Sequence, residues 1–291
     1  MEGAFGLFRE HLSAVAIWAG VYLAGNIAIL LVTMPILRGA MSPETMADPA
    51  QMMASMLPVY LLNMLMAVVG VVLYTAAMRA VLRPQAGGLA FMRLGMDELR
   101  MIGLLILFGI IGFVVGLVLT LVLGVLGMGV AVGSESPMLS VLLSFVIGLG
   151  LLAFFIFFLV RFSLAFPLTL HRQRIVVGEA WTLSRGRFWT LFGAALVITL
   201  IGMFLSIVAA SFAVGGYLAD IMAAAGDPEA AAQVAERQIA AVGSLGPAMI
   251  LQTIASAVIG AIWIALTGGS TATAAKLLLD SEFDNAEDVF G

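Results

Sequence analysis

Cysteine is absent from this 291-residue sequence, and charge is scarce, with Asp, Glu, Lys and Arg supplying 10% of positions. Without a thiol there is no disulfide, no thiolate metal site and no cysteine nucleophile. A soluble domain carries about 25% charged residues, so this chain lacks the polar surface needed to face water. Histidine is limited to His11 and His171. Neither belongs to a metal-binding pattern such as His-Glu-x-x-His, and both fall where an apolar run meets its polar flank. The glycine-rich stretches (124–133, and Gly268-Gly269-Ser270) lack the lysine of a phosphate loop and read as helix-packing or unwinding points. No acid or base sits near the middle of an apolar run, where ion-coupled transporters place ionisable groups. We therefore expect no enzymatic activity, no metal, no cofactor and no nucleic-acid partner.

What the chain does have is grease: 63% hydrophobic residues and a mean hydropathy of +1.15. A bilayer span needs roughly 20 apolar residues in a helix, which satisfies its own backbone polar groups away from water. Six runs meet that length, at about 12–37, 57–82, 101–132, 138–168, 188–218 and 246–270. The first exceeds the roughly 7–15-residue apolar core of a signal peptide and follows Glu2 and Glu10 rather than a basic cluster, so we read it as a retained span. The expected fold is an all-α integral membrane protein, a six-helix bundle forming one membrane domain over residues 1–291.

The basic residues orient it. With the N-terminus in the cytoplasm, eleven of the thirteen lie inside: Arg9, Arg79, Arg83, Arg93, Arg100, Arg161, Arg172, Arg174, Arg185, Arg187 and Lys276. Arg38 and Arg237 fall outside. This bias predicts both termini in the cytoplasm. The acidic tail at 280–291 does not oppose it, because acidic residues weigh little in orientation. Asp48-Pro49-Ala50-Gln51 and Asp227-Pro228-Glu229 pair an N-cap with proline at the first helical position. They predict short outside helices at 49–56 and 228–242. Amphipathic cytoplasmic segments are expected at 84–100 and 172–187.

An internal duplication follows from an offset of 90 residues. Gly88, Ala90, Gly103 and Gly112 match Gly178, Ala180, Gly193 and Gly202, and Phe91 matches Trp181. Both connecting segments lie on one side of the membrane, which predicts a parallel repeat of spans 2–3 and 4–5. Small-residue pairs (Gly112/Gly116, Ser256/Gly260 and Ala257/Ala261) favour close helix packing or a homo-oligomer. Eight of eighteen methionines fall between Met34 and Met66. Thioethers suit Cu(I), but no histidine or cysteine joins them, and flexible packing is the reading adopted.

The segment Arg172 to Phe192 is the most distinctive. Val176, Val177, Ala180, Trp181 and Ser184 share a helical face, and Gly186 interrupts the helix ahead of Phe188-Trp189. Arginines beside tryptophan belong at headgroup level. Candidate lipid or interface residues are therefore Arg172, Arg174, Glu179, Trp181, Arg185, Arg187 and Trp189. Glu179 is expected to pair with Arg161, Arg185 or Arg187. Within the spans, Asn26, Asn63, Gln252 and Thr253 are the strong hydrogen-bonding groups, and would line a cavity between the repeat halves.

A span ending in Arg161 and Pro167, then Gly178-Glu179-Ala180-Trp181-Thr182-Leu183-Ser184-Arg185-Gly186, then Phe188-Trp189, resembles the membrane domain of glycerophosphoryl diester phosphodiesterases and its stand-alone bacterial inner-membrane relatives. The six-span layout and Ala275-Lys276-Leu277-Leu278-Leu279-Asp280 accord with it. The resemblance implies a membrane domain without catalytic residues, the enzyme of that family being a separate soluble barrel. The leading expectation is a non-enzymatic protein that organises membrane lipids, anionic ones included, or a membrane-protein partner. The alternative is a transporter or flippase component.

Overall fold

A computed structural model describes residues 2–40, 49–86, 88–133, 137–224, 227, 229–230, 232–234 and 246–290. The segment 228–242, expected as an outside helix, therefore lies largely beyond the described residues, as do Arg237 and the side chain of Arg38. At its start, the Asp227 carboxylate accepts from the backbone N–H of Glu229 at 2.9 Å and of Ala230 at 3.3 Å, an N-cap arrangement.

The described residues hold no strand. The helices are α1 (Glu2–Glu10), α2 (Leu12–Ala40), α3 (Pro49–Leu82), α4 (Met96–Gly133), α5 (Pro137–Phe162), α6 (Ala165–Arg172), α7 (Gly178–Leu183), α8 (Phe188–Ala223) and α9 (Pro247–Phe290). A 3₁₀ turn at Leu89–Phe91 stands between α3 and α4. Pro49 opens α3, and residues 49–56 continue unbroken into the second span. Segment 84–100 is a turn, the 3₁₀ turn and the first residues of α4, whereas segment 172–187 holds α7.

Six helical stretches are long and apolar enough to cross a membrane: Leu12–Ile36, Met53–Leu82, Leu89–Val122, Phe145–Arg172, Phe188–Ser211 and Met249–Ser281. Large apolar side chains along them stand exposed, Phe113 at 70% and Leu159 at 71% among them. Water would penalise that surface, while lipid is its natural solvent. The chain is a multi-pass α-helical membrane protein.

The hydroxyls within the spans obey the same constraint. Thr75, Thr120 and Thr267 each donate to the carbonyl four residues back, at 2.7–2.8 Å. Folding a hydroxyl onto its own helix removes an unpaired donor from hydrocarbon.

Two compact units emerge, one of residues 1–93 with 196–270 and one of residues 94–195 with 271–291. In the first, Leu7, Ala14, Val15 and Trp18 pack with Leu73, Ala76, Ala77, Ala80, Ala261, Ile264 and Ala265. Alanines on α3 and α9 keep these surfaces thin, so backbones approach closely. Gly268 marks one close approach of α3 and α9, since a Cβ there would lie 2.8 Å from that of Ala77. Ala257 and Ala261 are buried, and Gly260 meets the Tyr22 ring, whereas Gly112 and Gly116 face open space. In the second unit, Leu104, Leu164, Ala165, Leu168, Val176 and Ala180 pack with Ala275, Leu278 and Leu279.

Candidate functional site

The second unit gathers the basic candidates around one corner. Helix α6 ends at Arg172 because Gln173 takes a left-handed conformation (φ 56°), turning the chain back. The buried Thr169 hydroxyl accepts the Val176 N–H at 3.3 Å and closes this turn. Glu179, in the first turn of α7, then faces the turn. Its two carboxylate oxygens take Arg172 Nε at 3.2 Å and Arg174 Nη2 at 2.8 Å. The expected partners Arg161, Arg185 and Arg187 are not the ones it meets. The reversal at Gln173 is the reason: it carries Arg172 and Arg174 to the acid, which linear helical spacing does not reveal.

Arg161 goes elsewhere. From the last turn of α5 its Nη1 donates to the Trp181 carbonyl at 3.3 Å and to Ser184 Oγ at 3.2 Å. Its guanidinium lies over the Trp181 ring at 4.6 Å and the Phe157 ring at 5.4 Å. Such stacking is worth about 0.5–2 kcal/mol, depending on solvent exposure. Arg161 Nε is enclosed with no hydrogen-bond partner. Phe157, Phe158, Phe162, Phe188 and Trp181 surround this stack, and Trp189 continues it at 78% exposure.

Gly186 takes φ 79°, a conformation that costs glycine nothing, and breaks the chain between α7 and α8. Arg185 and Arg187 flank it, both exposed. Arg187 Nη1 reaches Ser281 Oγ at 3.2 Å. Residues 161–187 thus carry five arginines against one acid, and that acid is already matched by two of them. Arg185 and Arg187 are exposed near the exposed Trp189 indole, and residues 161–187 hold no further acid to pair with them.

The first unit builds a related corner and closes it. Arg79, in the last turn of α3, is 2% exposed and donates Nη1 to the Phe91 carbonyl at 2.6 Å. Trp18 Nε1 donates to the neighbouring Ala90 carbonyl at 3.0 Å. Both carbonyls point inward because Ala90 (φ 52°) and Phe91 (φ 60°) adopt left-handed conformations in succession. For residues bearing a Cβ this costs roughly 1–2 kcal/mol each, and the arginine and indole donors offset it. The Phe91 ring also meets His11 edge-on at 5.0 Å.

The polar candidates within the spans divide. Asn26, Gln252 and Thr253 line one cavity of about 340 Å³ in the first unit, formed by α2 and α9. Thr33, which the sequence did not single out, and Ser256, expected only as a packing residue, line it too, with Ile29, Leu30, Met34 and Met249. Asn63 does not line it: it is exposed and donates to the Val59 carbonyl of its own helix at 2.8 Å. Among the described residues no group of three or more His, Cys, Asp or Glu could hold a metal ion.

No family model, no curated protein and no solved structure matches this chain.

Proposed function

We propose that the protein is a non-enzymatic component of a bacterial cytoplasmic membrane, with both termini in the cytoplasm, that holds anionic lipid headgroups at the Arg161–Trp189 corner. One observation carries the reading. Arg172 and Arg174 neutralise Glu179, while the exposed Arg185 and Arg187 stand beside the Arg161–Trp181 stack without a matching acid in residues 161–187. Arginine forks suit phosphate, and an exposed indole such as Trp189 suits the interface between headgroups and acyl chains. Placement of eleven basic residues on one side supports the orientation.

The parallel repeat belongs to the same proposal. Its support is that Arg79 and Arg161, each in the last turn of a span, donate to the carbonyls of Phe91 and Trp181. Those two residues are matched at the 90-residue offset. Kinship with the membrane domain of glycerophosphoryl diester phosphodiesterases is proposed on the Gly178–Gly186 segment.

The test is lipid retention. Purified protein is analysed by native mass spectrometry for co-purifying phosphatidylglycerol, with and without Arg185→Gln and Arg187→Gln. A surface arginine contributes about 1 kcal/mol toward anionic lipid, so each replacement should lower retention about fivefold. Unchanged retention would sink the proposal.

A second reading, a transporter or flippase component, draws on the cavity lined by Asn26, Gln252 and Thr253. Solute or lipid flux in proteoliposomes that Asn26→Leu abolishes would favour it, and absence of any flux would remove it.

A further inference from the structure

The cavity between α2 and α9 differs from the rest of the spans in how its polar groups are satisfied. Elsewhere Thr75, Thr120 and Thr267 bond their own helices. Of the lining residues Thr253 does the same, donating to the Met249 carbonyl at 2.8 Å. The Thr33 hydroxyl, by contrast, is enclosed and has no partner. Among the described residues the Asn26 and Gln252 amides likewise have no side-chain hydrogen-bond partner. Two amides therefore line one space with donors and acceptors to spare, beside an enclosed hydroxyl that is itself unpartnered. In hydrocarbon such groups are costly unless something binds them.

The lining also says what kind of group belongs there. Among the described residues it contains no ionisable side chain, so there a charged ligand would lose its water with no countercharge to replace it. An uncharged group bearing hydroxyl or ester oxygens matches the amides, each of which both donates and accepts. A volume of about 340 Å³ holds a small polyol or lipid head but not acyl chains. Apolar residues stand exposed beside the lining positions, Ile27 and Leu31 on α2 and Leu251 and Ile254 on α9. They offer the chains a lipid-facing path.

We infer that this cavity binds the uncharged, hydroxyl-bearing head of a neutral glycerolipid, its acyl chains lying along Leu31 and Leu251. The inference rests on the cavity of the second reading but not on transport. Binding without flux would retain this site and remove the transporter, so the two fail separately.

A diacylglycerol with a photoreactive acyl chain tests it, applied to the full chain in phosphatidylcholine nanodiscs and followed by peptide mapping. Labelling should be saturable and confined to residues 26–34 and 249–256. Joint replacement by Asn26→Leu and Gln252→Leu should lower it at least about fivefold, the effect of losing one or two net hydrogen bonds. The same variant should have a higher thermal midpoint without the probe, because it removes unpaired polar groups from lipid; this separates loss of binding from loss of fold. Displacement by unlabelled diacylglycerol but not by an equal concentration of glycerol supports the lipid source. Equal displacement by glycerol assigns the same chemistry to a free polyol and overturns the lipid assignment. Equal displacement by phosphatidic acid, uniform labelling along the spans, or labelling unchanged in the variant overturns the site itself.

Discussion

Arg79 and Arg161 do the same thing to opposite effect. Each sits in the last turn of a span and donates to a backbone carbonyl in the segment that follows. Arg79 is sealed at 2% exposure, its carbonyl partner delivered by two consecutive left-handed residues and held beside a second carbonyl that Trp18 takes. Arg161 is stacked on aromatic faces, keeps an unpartnered Nε, and lies in a segment where further arginines stay exposed. A buried arginine–carbonyl bond acts as a structural pin, whereas the same bond at an open aromatic corner stands beside arginines that remain exposed. The first corner should govern stability and the second lipid retention.

Breaking the pin gives the largest effect. Arg79→Ala leaves the Phe91 carbonyl without this donor and removes the restraint on the left-handed pair. It should destabilise by about 3 kcal/mol, from the lost charge-assisted hydrogen bond and the acceptor left unsatisfied. The check is the thermal midpoint in detergent, with lipid retention per folded molecule unchanged. Arg161→Ala should cost less, about 1–2 kcal/mol for the stacking and the two hydrogen bonds at a partly exposed site. Quenching of tryptophan fluorescence by a headgroup-level quencher should also change, because Trp181 loses its cation. If the two arginines cost the same stability and neither moves fluorescence, the comparison fails.

Glu179→Gln sharpens the comparison from the other direction. The carboxylate is a third exposed, so its two ion pairs contribute less than about 1 kcal/mol to stability. Releasing Arg172 and Arg174 should instead raise phosphatidylglycerol retention, read by native mass spectrometry. The smallest effect belongs to Ala90→Gly. Glycine accepts φ 52° without strain, and the thermal midpoint should rise by an amount equivalent to about 0.5–1 kcal/mol.

These corners also mark what could be read in advance. The six apolar stretches were legible because uninterrupted hydrophobicity is a property of composition, and the bilayer demands it whatever the tertiary contacts. Arg172, Arg174, Glu179 and Trp181 were legible as one cluster, since they lie within ten residues of each other. The partner choice of Glu179 was not, because it depends on a left-handed Gln173 that no glycine announces. The Arg79 pin was hidden for the same reason: Ala90 and Phe91 carry no signal for positive φ. Asn26, Gln252 and Thr253 stood out as polar residues in grease. Thr33 and Ser256 did not, since a hydroxyl in a helix ordinarily bonds its own backbone.

On the proposed reading, lipid-binding charge is concentrated at the second corner. The most direct measurement compares two double variants of equal charge change by native mass spectrometry, Arg185→Gln with Arg187→Gln against Arg83→Gln with Arg93→Gln. Phosphatidylglycerol retention should fall strongly in the first pair, by up to about 25-fold at 1 kcal/mol per arginine, and little in the second. Equal losses in both pairs would contradict this reading, because retention would then follow total basic charge rather than the Arg161–Trp189 corner.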